Sequence, residues 1–154
     1  MIVNGKVWWF KALGKPVTGE YGTKWSFDLS LEADQIKKLV DDGMSERYLK
    51  NKEDDRGTFL TFERNAVKKD GEPAKPFPVV GKTRGADGNW VEWDQNKLIG
   101  NGSEVAVRVI LNEKTWKKDT WLKPSALEIQ VRELVEYKPY EDFKEEDDKP
   151  GEDW

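Results

Sequence analysis

The sequence predicts a mainly β domain, a five-stranded Greek-key barrel with one or two short helices, followed by a disordered acidic tail. Three observations carry this prediction. Apolar side chains recur mostly with a period of two, which is typical of strands with one buried face. Only one segment has clear helical spacing. Gly and Pro residues fill the gaps between the alternating segments, as the turns of a β domain require.

The predicted strands are short alternating segments bounded by turn residues. They cover residues 6–13, 25–31, 57–64, 77–82, 89–93, 105–111 and 126–136. Trp25 alternates with Phe27 and Leu29, so we assign it to the core. Asp87-Gly88 is a typical hairpin turn, which predicts that the two strands flanking it pair with each other. Trp8 and Trp9 should point to opposite faces of the first strand, so at most one of them faces the core.

The clear helical segment covers residues 33–42, where apolar residues stand three and four positions apart. Gly43 supplies its carboxyl-terminal stop. A second helix at residues 45–50 is a weaker prediction, and the charged residues 51–56 are predicted to form a loop. About five strands, one or two short helices and long basic connectors are the arrangement of an oligonucleotide-binding (OB) type barrel.

Cysteine and histidine are both absent from the chain. This excludes disulfides, thiolate or imidazole metal sites, cysteine nucleophiles and every triad with an imidazole base. The remaining enzyme class is a nuclease whose carboxylates hold Mg²⁺, for which Asp94, Glu104 and the pair Glu113-Lys114 are the candidates. With 30 acidic residues among 154, such spacings arise by chance. We therefore expect no enzyme activity, no metal and no cofactor.

The sequence also predicts where the protein resides. No apolar run approaches the ~20 residues of a membrane-spanning helix. The amino terminus lacks the basic and apolar regions of an export signal. We expect a cytoplasmic protein that does not bind membranes.

Aromatic residues are dense for so polar a chain, with eight Trp, four Tyr and six Phe. The core of a small β domain accounts for some of them, because one Trp buries roughly 150–250 Å². Eight Trp are more than a barrel of this size needs. Several stand beside Lys or Arg, as expected of a surface that stacks bases next to phosphates.

Charge is distributed unevenly along the chain. Residues 141–154 carry a net charge of -6, whereas residues 1–140 carry +2, within an overall net charge of -4. So acidic and polar a segment cannot bury enough apolar surface to offset its ordering entropy. We therefore predict a folded domain at residues 1–140 and a disordered tail at residues 141–154.

Two basic clusters stand out in the domain. Residues 64–84 carry a local net charge of +4 and predict a mobile basic flap that displays Phe77. Residues 114–123 carry +3, with Trp116 and Trp121 flanking a lysine pair, and predict the tip of a hairpin. Either cluster alone could be a solvated loop that keeps the protein soluble. Two such clusters with interleaved aromatics favour a binding surface.

Cations interleaved with flat apolar rings match single-stranded nucleic acid, which presents a line of phosphates and exposed base faces. No base-reading helix is predicted, so binding should be independent of sequence. The residues nominated for a DNA-binding groove are Lys11, Lys15, Lys82, Arg84, Trp90, Trp93, Arg108, Trp116, Lys117 and Lys118.

The tail is a candidate competitor for this groove, because it is acidic and is tethered to a basic surface. Its end, Gly151-Glu152-Asp153-Trp154, places an indole beside carboxylates. A peptide that binds in a basic, apolar pocket would have this combination. The hypothesis is that the tail covers the groove without DNA and is released to partner proteins when DNA binds. The residues nominated for partner binding are Glu145, Glu146, Asp147, Asp148, Glu152, Asp153 and Trp154. A solubility tail is the simpler alternative.

Three motifs together resemble those of the single-stranded DNA-binding proteins of tailed bacteriophages. They are Lys75-Pro-Phe-Pro-Val-Val-Gly, Leu98-Ile-Gly-Asn-Gly-Ser ahead of a strand, and the acidic terminus that closes on an aromatic. The resemblance implies an OB fold and binding of single-stranded DNA in replication, recombination and repair. It also implies recruitment of polymerase or helicase-primase through the tail, and location in the cytoplasm of an infected bacterium.

Two further expectations accompany the resemblance. Proteins of this family are often dimers, so a homodimer is possible for this chain. Its final residue is Trp154 where a Phe is more usual, which leaves the partner open. A protein-interaction adaptor or DNA mimic is a third function class, which would explain the tail but not the basic aromatic loops.

Overall fold

A computed structural model of the chain describes residues 1–20 and 22–136. The predicted domain boundary at residue 140 and the predicted tail lie outside the described residues. The elements are β1 (Ile2–Lys11), β2 (Val17–Gly19), β3 (Gly22–Ser30), α1 (Ala33–Asp41), a 3₁₀ turn (Glu46–Tyr48), β4 (Lys50–Asn51), β5 (Thr58–Asn65), β6 (Val79–Arg84), β7 (Trp90–Glu92), β8 (Glu104–Trp116) and β9 (Asp119–Glu133). The prediction of a mainly β domain is confirmed.

Five long strands form the body of the sheet, in the order β5-β3-β1-β8-β9. All neighbours in this series are antiparallel. The first three long strands form a meander, and β8 returns to lie beside β1, which is the Greek-key arrangement predicted for an OB-type barrel. β6 extends the sheet by pairing parallel with β9, and β7 pairs with β6 at the edge.

The sheet does not close through continuous strand pairing within the described residues. A side chain bridges the gap between β5 and β9 instead. The guanidinium of Arg64 on β5 donates to the carbonyl oxygen of Ala126 on β9 at 3.3 Å. The same guanidinium donates to the carbonyl of Pro76 at 3.1 Å. One side chain therefore connects β5, β9 and the segment before β6.

The core is formed by the inward faces of the five long strands. Trp25, Phe27 and Leu29 of β3 are buried, which confirms the core assignment of Trp25. The Phe27 ring stacks on Phe62 with centroids 5.3 Å apart and meets the edge of Phe77 at 5.4 Å. Burial of each such side chain stabilises the fold by roughly 1.5–3 kcal/mol.

Phe77 corrects the prediction of a flap that displays an aromatic ring. Phe77 is only 2% exposed, and the Arg64 guanidinium carbon lies 4.6 Å from its ring centre. The ring reaches the core because the chain enters β6 directly after Pro78. The preceding basic segment is a hydrogen-bonded loop, in which the Ala74 N–H donates to the Ala66 carbonyl at 2.8 Å.

The helical predictions are confirmed for α1 and corrected for the second segment. α1 buries Leu39, and Gly43, with a φ of 105°, supplies the left-handed stop that follows it. The segment predicted as a second helix contains only the 3₁₀ turn, because the following residues pair as β4 with β5. No helix in the described part of the chain is long and apolar enough to cross a membrane.

Candidate nucleic-acid interface

The β8–β9 hairpin ends in the basic tip that the sequence predicts. Lys117 and Lys118 form the turn between Trp116 and Asp119, which face each other across the ladder. Lys117 has a φ of 56°, the left-handed conformation that two-residue hairpin turns use. Trp116 is 68% exposed. The tip therefore presents a bare indole directly beside two lysines.

The neighbouring indole of Trp121, which stands opposite Lys114, holds this hairpin two residue pairs below the pair that flanks the turn. Its Nε1–H donates to the Tyr48 hydroxyl, and the Arg47 guanidinium carbon lies 4.0 Å above its ring. The Ser45 N–H donates to the Leu122 carbonyl at 3.1 Å. These contacts use both the edge and one face of the Trp121 ring, so Trp121 holds the hairpin while Trp116 stays accessible.

The β6–β7 hairpin carries a second aromatic and cationic group. The Arg84 guanidinium carbon lies 4.0 Å over the Trp90 ring, and Arg84 also donates to the Gly88 carbonyl at 2.6 Å. Trp90 is 37% exposed. Trp93 differs, because it packs against the core and its Nε1–H donates to the Lys97 carbonyl at 2.8 Å. Trp90 thus keeps one face of its ring open to solvent, whereas Trp93 mainly packs against the core.

Acidic partners offset the cations on the outer face of β8, β9 and β6. The Lys82 Nζ lies 3.6 Å from a Glu133 carboxylate oxygen, and the Arg108 Nε lies 4.0 Å from one of Glu128. Both pairs are solvent-exposed, so each contributes little to stability. Each of the nominated Lys82 and Arg108 therefore faces a carboxylate that a phosphate would have to replace.

β1 carries an irregularity that the sequence analysis missed. Trp8 pairs with Asp28 and Lys11 with Ser26, so Trp9 and Phe10 together stand opposite one residue of β3. This is a β-bulge. Phe10 packs against the core, Trp8 is half-buried, and Trp9 is 56% exposed. The run Trp-Trp-Phe, which breaks the period of two, was the available signal.

The Ile-Gly-Asn-Gly-Ser motif braces this bulge. The Asn101 Oδ1 accepts the Trp9 N–H at 2.8 Å, and the Gly102 N–H donates to the Val7 carbonyl at 2.9 Å. The fully buried Ser103 hydroxyl donates to the Gly100 carbonyl and accepts the Val135 N–H, both at 2.8 Å. The motif therefore joins the end of β1 to the segment that follows β9.

The outer face of β3 and β5 contains a nearly buried ion pair. The Asp28 carboxylate is contacted by the Thr61 hydroxyl and the Arg56 guanidinium, each at 2.7 Å. Arg56 also binds Asp54 and lies 4.1 Å over the Phe59 ring. Hydrogen bonds from Arg56 hold the pKa of Asp54 at about 2, below its usual value of 3.8. Arg56 is thus committed to two carboxylates and is not a free cation.

A cleft at the far end of β5 is lined by cations without an acidic side chain. The lining residues that carry charge are Arg64, Lys68, Lys69 and Lys75. Four of the six cations in the predicted cluster therefore share one surface, whereas Lys82 and Arg84 lie on β6 and the aromatic ring of the cluster is buried. Burial lowers the pKa of Arg64, which still lies over Phe77.

The structure places the nominated groove residues in three groups. Lys11 and Lys15 lie at the carboxyl end of β1 and in the loop after it. Trp116, Lys117 and Lys118 lie beyond its amino end, because Ile2 pairs with Arg108 and β8 continues from there to the tip. The third group is on and beside the β6–β7 edge: Lys82, Arg84, Trp90, Trp93 and Arg108.

Two of these groups are linked directly. The Gly14 N–H, in the loop after β1, donates to the Gln95 Oε1 at 2.7 Å, in the connection after β7. The hairpin tip stands apart from both. The partner-binding residues nominated in the tail lie outside the described residues.

The acidic residues of the described chain do not form a metal site. No group of three or more Asp or Glu side chains comes together in residues 1–20 and 22–136 in a way that could hold a metal ion. Of the nuclease candidates, the Asp94 carboxylate accepts the N–H of Asn96, which makes it part of a turn. Glu104 and Glu113 lie nine positions apart on the same strand.

Comparisons with known proteins show the fold. No model of a protein family matches the sequence, and no curated protein does. The crystal structure of gp2.5, a single-stranded DNA-binding protein encoded by bacteriophage T7, superposes with a TM-score of 0.59 at 18% identity, covering 94% of this chain and 97% of that one. The single-stranded DNA-binding protein from bacteriophage Enc34, in complex with single-stranded DNA, gives 0.55 at 17% identity, covering 87% and 85%. The resemblance predicted from the motifs is confirmed at the level of the fold.

Proposed function

We propose that this chain is a single-stranded DNA-binding protein that acts without regard to sequence. Exposed indoles would stack on bases while nearby lysines neutralise phosphates. Each stacked base contributes ~1–3 kcal/mol, and any base can stack because each has a π face. The fold shared with the two phage proteins supports this class of ligand and supports a binding protein over an enzyme.

The exposed tip of the β8–β9 hairpin is the observation that carries the proposal. Trp116 is 68% exposed, and Lys117 and Lys118 form no ion pair within the described residues. Burial would stabilise such a ring by roughly 1.5–3 kcal/mol. An exposed indole beside two unpaired lysines is expected on a surface that binds an aromatic polyanion.

The short helix α1 is not suited to reading duplex DNA. Duplex readers place a helix or a β ribbon in the major groove to contact base edges. α1 is nine residues long and pairs Lys37 with Asp41 on its exposed surface. It therefore offers no cationic face for docking in a groove of duplex DNA.

The test is a titration of fluorescein-labelled oligo(dT) by fluorescence anisotropy, in EDTA and at several salt concentrations. We expect binding whose log affinity falls with log salt, with a slope of ~0.7 per neutralised phosphate. Oligo(U) and duplex competitors measure the preference for unpaired DNA. No association with any oligonucleotide at low salt would refute the proposal. Cleavage that depends on Mg²⁺ would favour the nuclease instead.

The finer proposal concerns the biological setting and the tail. In it, residues 1–140 form the DNA-binding domain of a bacteriophage protein that acts in replication, recombination and repair in the cytoplasm of an infected bacterium. Residues 141–154 mask the groove without DNA and otherwise recruit polymerase or helicase-primase. The charge of -6 on these residues supports the masking role. A homodimer is part of this proposal, and size-exclusion chromatography with light scattering tests it.

A further inference from the structure

Trp9 has a backbone conformation that is unusual for its residue type. Its φ is 50°, in the left-handed region that strongly disfavours bulky side chains. In the described chain, the other non-glycine residues with positive φ are Glu53 and Lys117, which lie in a loop and a turn. Trp9 alone among these three lies within a strand. It occupies the bulge position that is left-handed and usually Gly.

Asn101 supplies the bond that holds this conformation. The β1–β8 pairing ends where Lys6 meets Glu104, so the ladder does not reach Trp9. The Asn101 Oδ1 accepts the Trp9 N–H at 2.8 Å in place of a strand partner. Asn101 is itself exposed, and the glycines on either side of it are tied to Val135 and Val7 by backbone hydrogen bonds.

The fold alone gives no reason for an indole at this position. Trp9 is 56% exposed, so its ring adds little to the core, and the left-handed backbone is strained by any side chain. A glycine would form the same bulge without that strain. Lys11, which follows two positions later, forms no ion pair in the part of the chain that the structure describes. A strained, exposed ring two positions before a free cation is the combination expected at a site for nucleobases and phosphates.

We propose that Trp9 is a base-stacking residue of the single-stranded DNA site and that Asn101 is the positioning residue that holds its indole. This inference rests on the proposed function and adds a second stacking position to the hairpin tip. The two positions lie at opposite ends of β1. A bound strand that contacts both would have to span the length of β1.

The first experiment compares Trp9→Gly and Trp9→Phe with the wild type, using labelled oligo(dT) and fluorescence anisotropy. Trp9→Gly should weaken binding about 5- to 150-fold, which is the loss of one stacked base. Trp9→Phe should retain most of the affinity, because it keeps an aromatic face. The salt slope should not change, since stacking releases no counterions. Leu98→Ala, which shortens another exposed apolar side chain, is the control and should bind like the wild type.

The melting temperature separates a binding role from a structural one. Trp9→Gly should melt at the same temperature as the wild type or higher, because glycine relieves the left-handed strain. Lower affinity together with undiminished stability would support the inference. A lower melting temperature would make the ring part of the fold and would overturn it.

The second experiment tests Asn101 through Trp9. Asn101→Ala should weaken binding, and in the Trp9→Gly background it should cause no further loss, because the positioned ring is already absent. Additive losses would mean that Asn101 acts independently of Trp9, contrary to the inference. Asn51→Ala is the matched control: the Asn51 Oδ1 accepts the N–H of Glu53, another residue with positive φ, but no aromatic ring is involved.

The outcomes distinguish this inference from the proposed function. If the wild type binds no oligonucleotide, the proposed function fails and the inference fails with it. If the wild type binds and folded Trp9→Gly binds equally well, only the inference fails. It also fails if Trp9→Gly turns a dimer into a monomer with unchanged affinity per protomer, because the ring then belongs to an interface between copies.

Discussion

Trp116 is the side chain whose removal should affect binding with least effect on folding. Its ring is 68% exposed, so Trp116→Ala removes little buried area. We expect a loss of ~1–3 kcal/mol in affinity for single-stranded DNA, as for one stacked base. Anisotropy titrations measure the loss, and thermal melting shows that the variant is folded. Ile110→Ala, an exposed apolar residue of the same strand, serves as the control. Unchanged affinity in folded Trp116→Ala would remove the ring from the site.

Asp54 should make stability depend on pH in a narrow acidic range. Arg56 holds the folded-state pKa of Asp54 at about 2, below its usual value of 3.8. A lowered pKa contributes stability that is fully present above about pH 4 and is lost as the pH falls towards 2. Asp54→Asn removes this contribution. Urea unfolding should therefore show a gap between wild type and variant that closes between about pH 4 and pH 2, and a gap that stays constant would contradict the assignment.

Tryptophan roles could be predicted from the sequence only where the period of two held. Trp25 lies in an unbroken alternation, and its core position is confirmed. Trp9 lies at a bulge directly after Trp8, and a one-residue insertion changes the facing of every residue after it. No local pattern separates Trp90, which has an open face, from Trp93, which packs on the core. Their difference depends on contacts with residues brought near by the sheet.

At the scale of elements, the Gly-Asn-Gly loop between β7 and β8 is a joint with little room for substitution. A Cβ on Gly100 would lie 2.5 Å from the Val135 carbonyl oxygen, which is backbone and cannot rotate away. Gly100→Ala should therefore destabilise the fold by ~1–3 kcal/mol, as overpacking does. Urea unfolding measures this cost. Gly19→Ala, where the nearest atom is 4.0 Å away, is the control and should change stability little.

The extent of each element was predicted in proportion to the regularity of its pattern. β3 and α1 follow from continuous periods of two or 3.6, and Asp87-Gly88 correctly predicts the β6–β7 hairpin. The strand predicted at residues 105–111 is shorter than β8, which continues to Trp116. A helix was predicted at residues 45–50, where only a 3₁₀ turn forms. The local sequence does not reveal that the next residues pair with β5. Phe77 was misassigned for a similar reason, since its basic neighbours hide a core contact with Phe27.

At the scale of the whole molecule, charge should regulate binding through residues 141–154. They carry -6 against +2 for the rest of the chain. Deleting them should tighten single-stranded DNA binding at low salt, and the gain should vanish at high salt, where charges are screened beyond ~3–10 Å. Anisotropy titrations of both proteins at several salt concentrations measure this. Circular dichroism confirms that the shortened chain is folded.

A full-length variant separates lost charge from lost length. In this variant, Gln replaces Glu145 and Glu146, and Asn replaces Asp147 and Asp148. If masking is electrostatic, this variant should bind more tightly than the wild type at low salt, in the direction of the deletion. Weaker binding by both altered proteins would contradict masking.

The assembly of the candidate site could not be predicted from the sequence. The nominated cations and rings were chosen by their local neighbours, and the structure divides them among the two ends of β1 and the β6–β7 edge. Which of them meet depends on strand order and register. Whether a cation is free depends on partners distant in sequence, as Lys82 with Glu133 illustrates.

The hydrogen bonds around Ser103 also fix the position of Val135 and Glu136 beside β1. Ile99 bridges to Glu136, and the Gly100 N–H donates to the Val135 carbonyl at 2.7 Å, next to the loop that holds Trp9. The hairpin tip lies at the opposite end of β1. A strand bound at both Trp9 and Trp116 would therefore have a front and a back, because its two ends would meet surfaces of different composition.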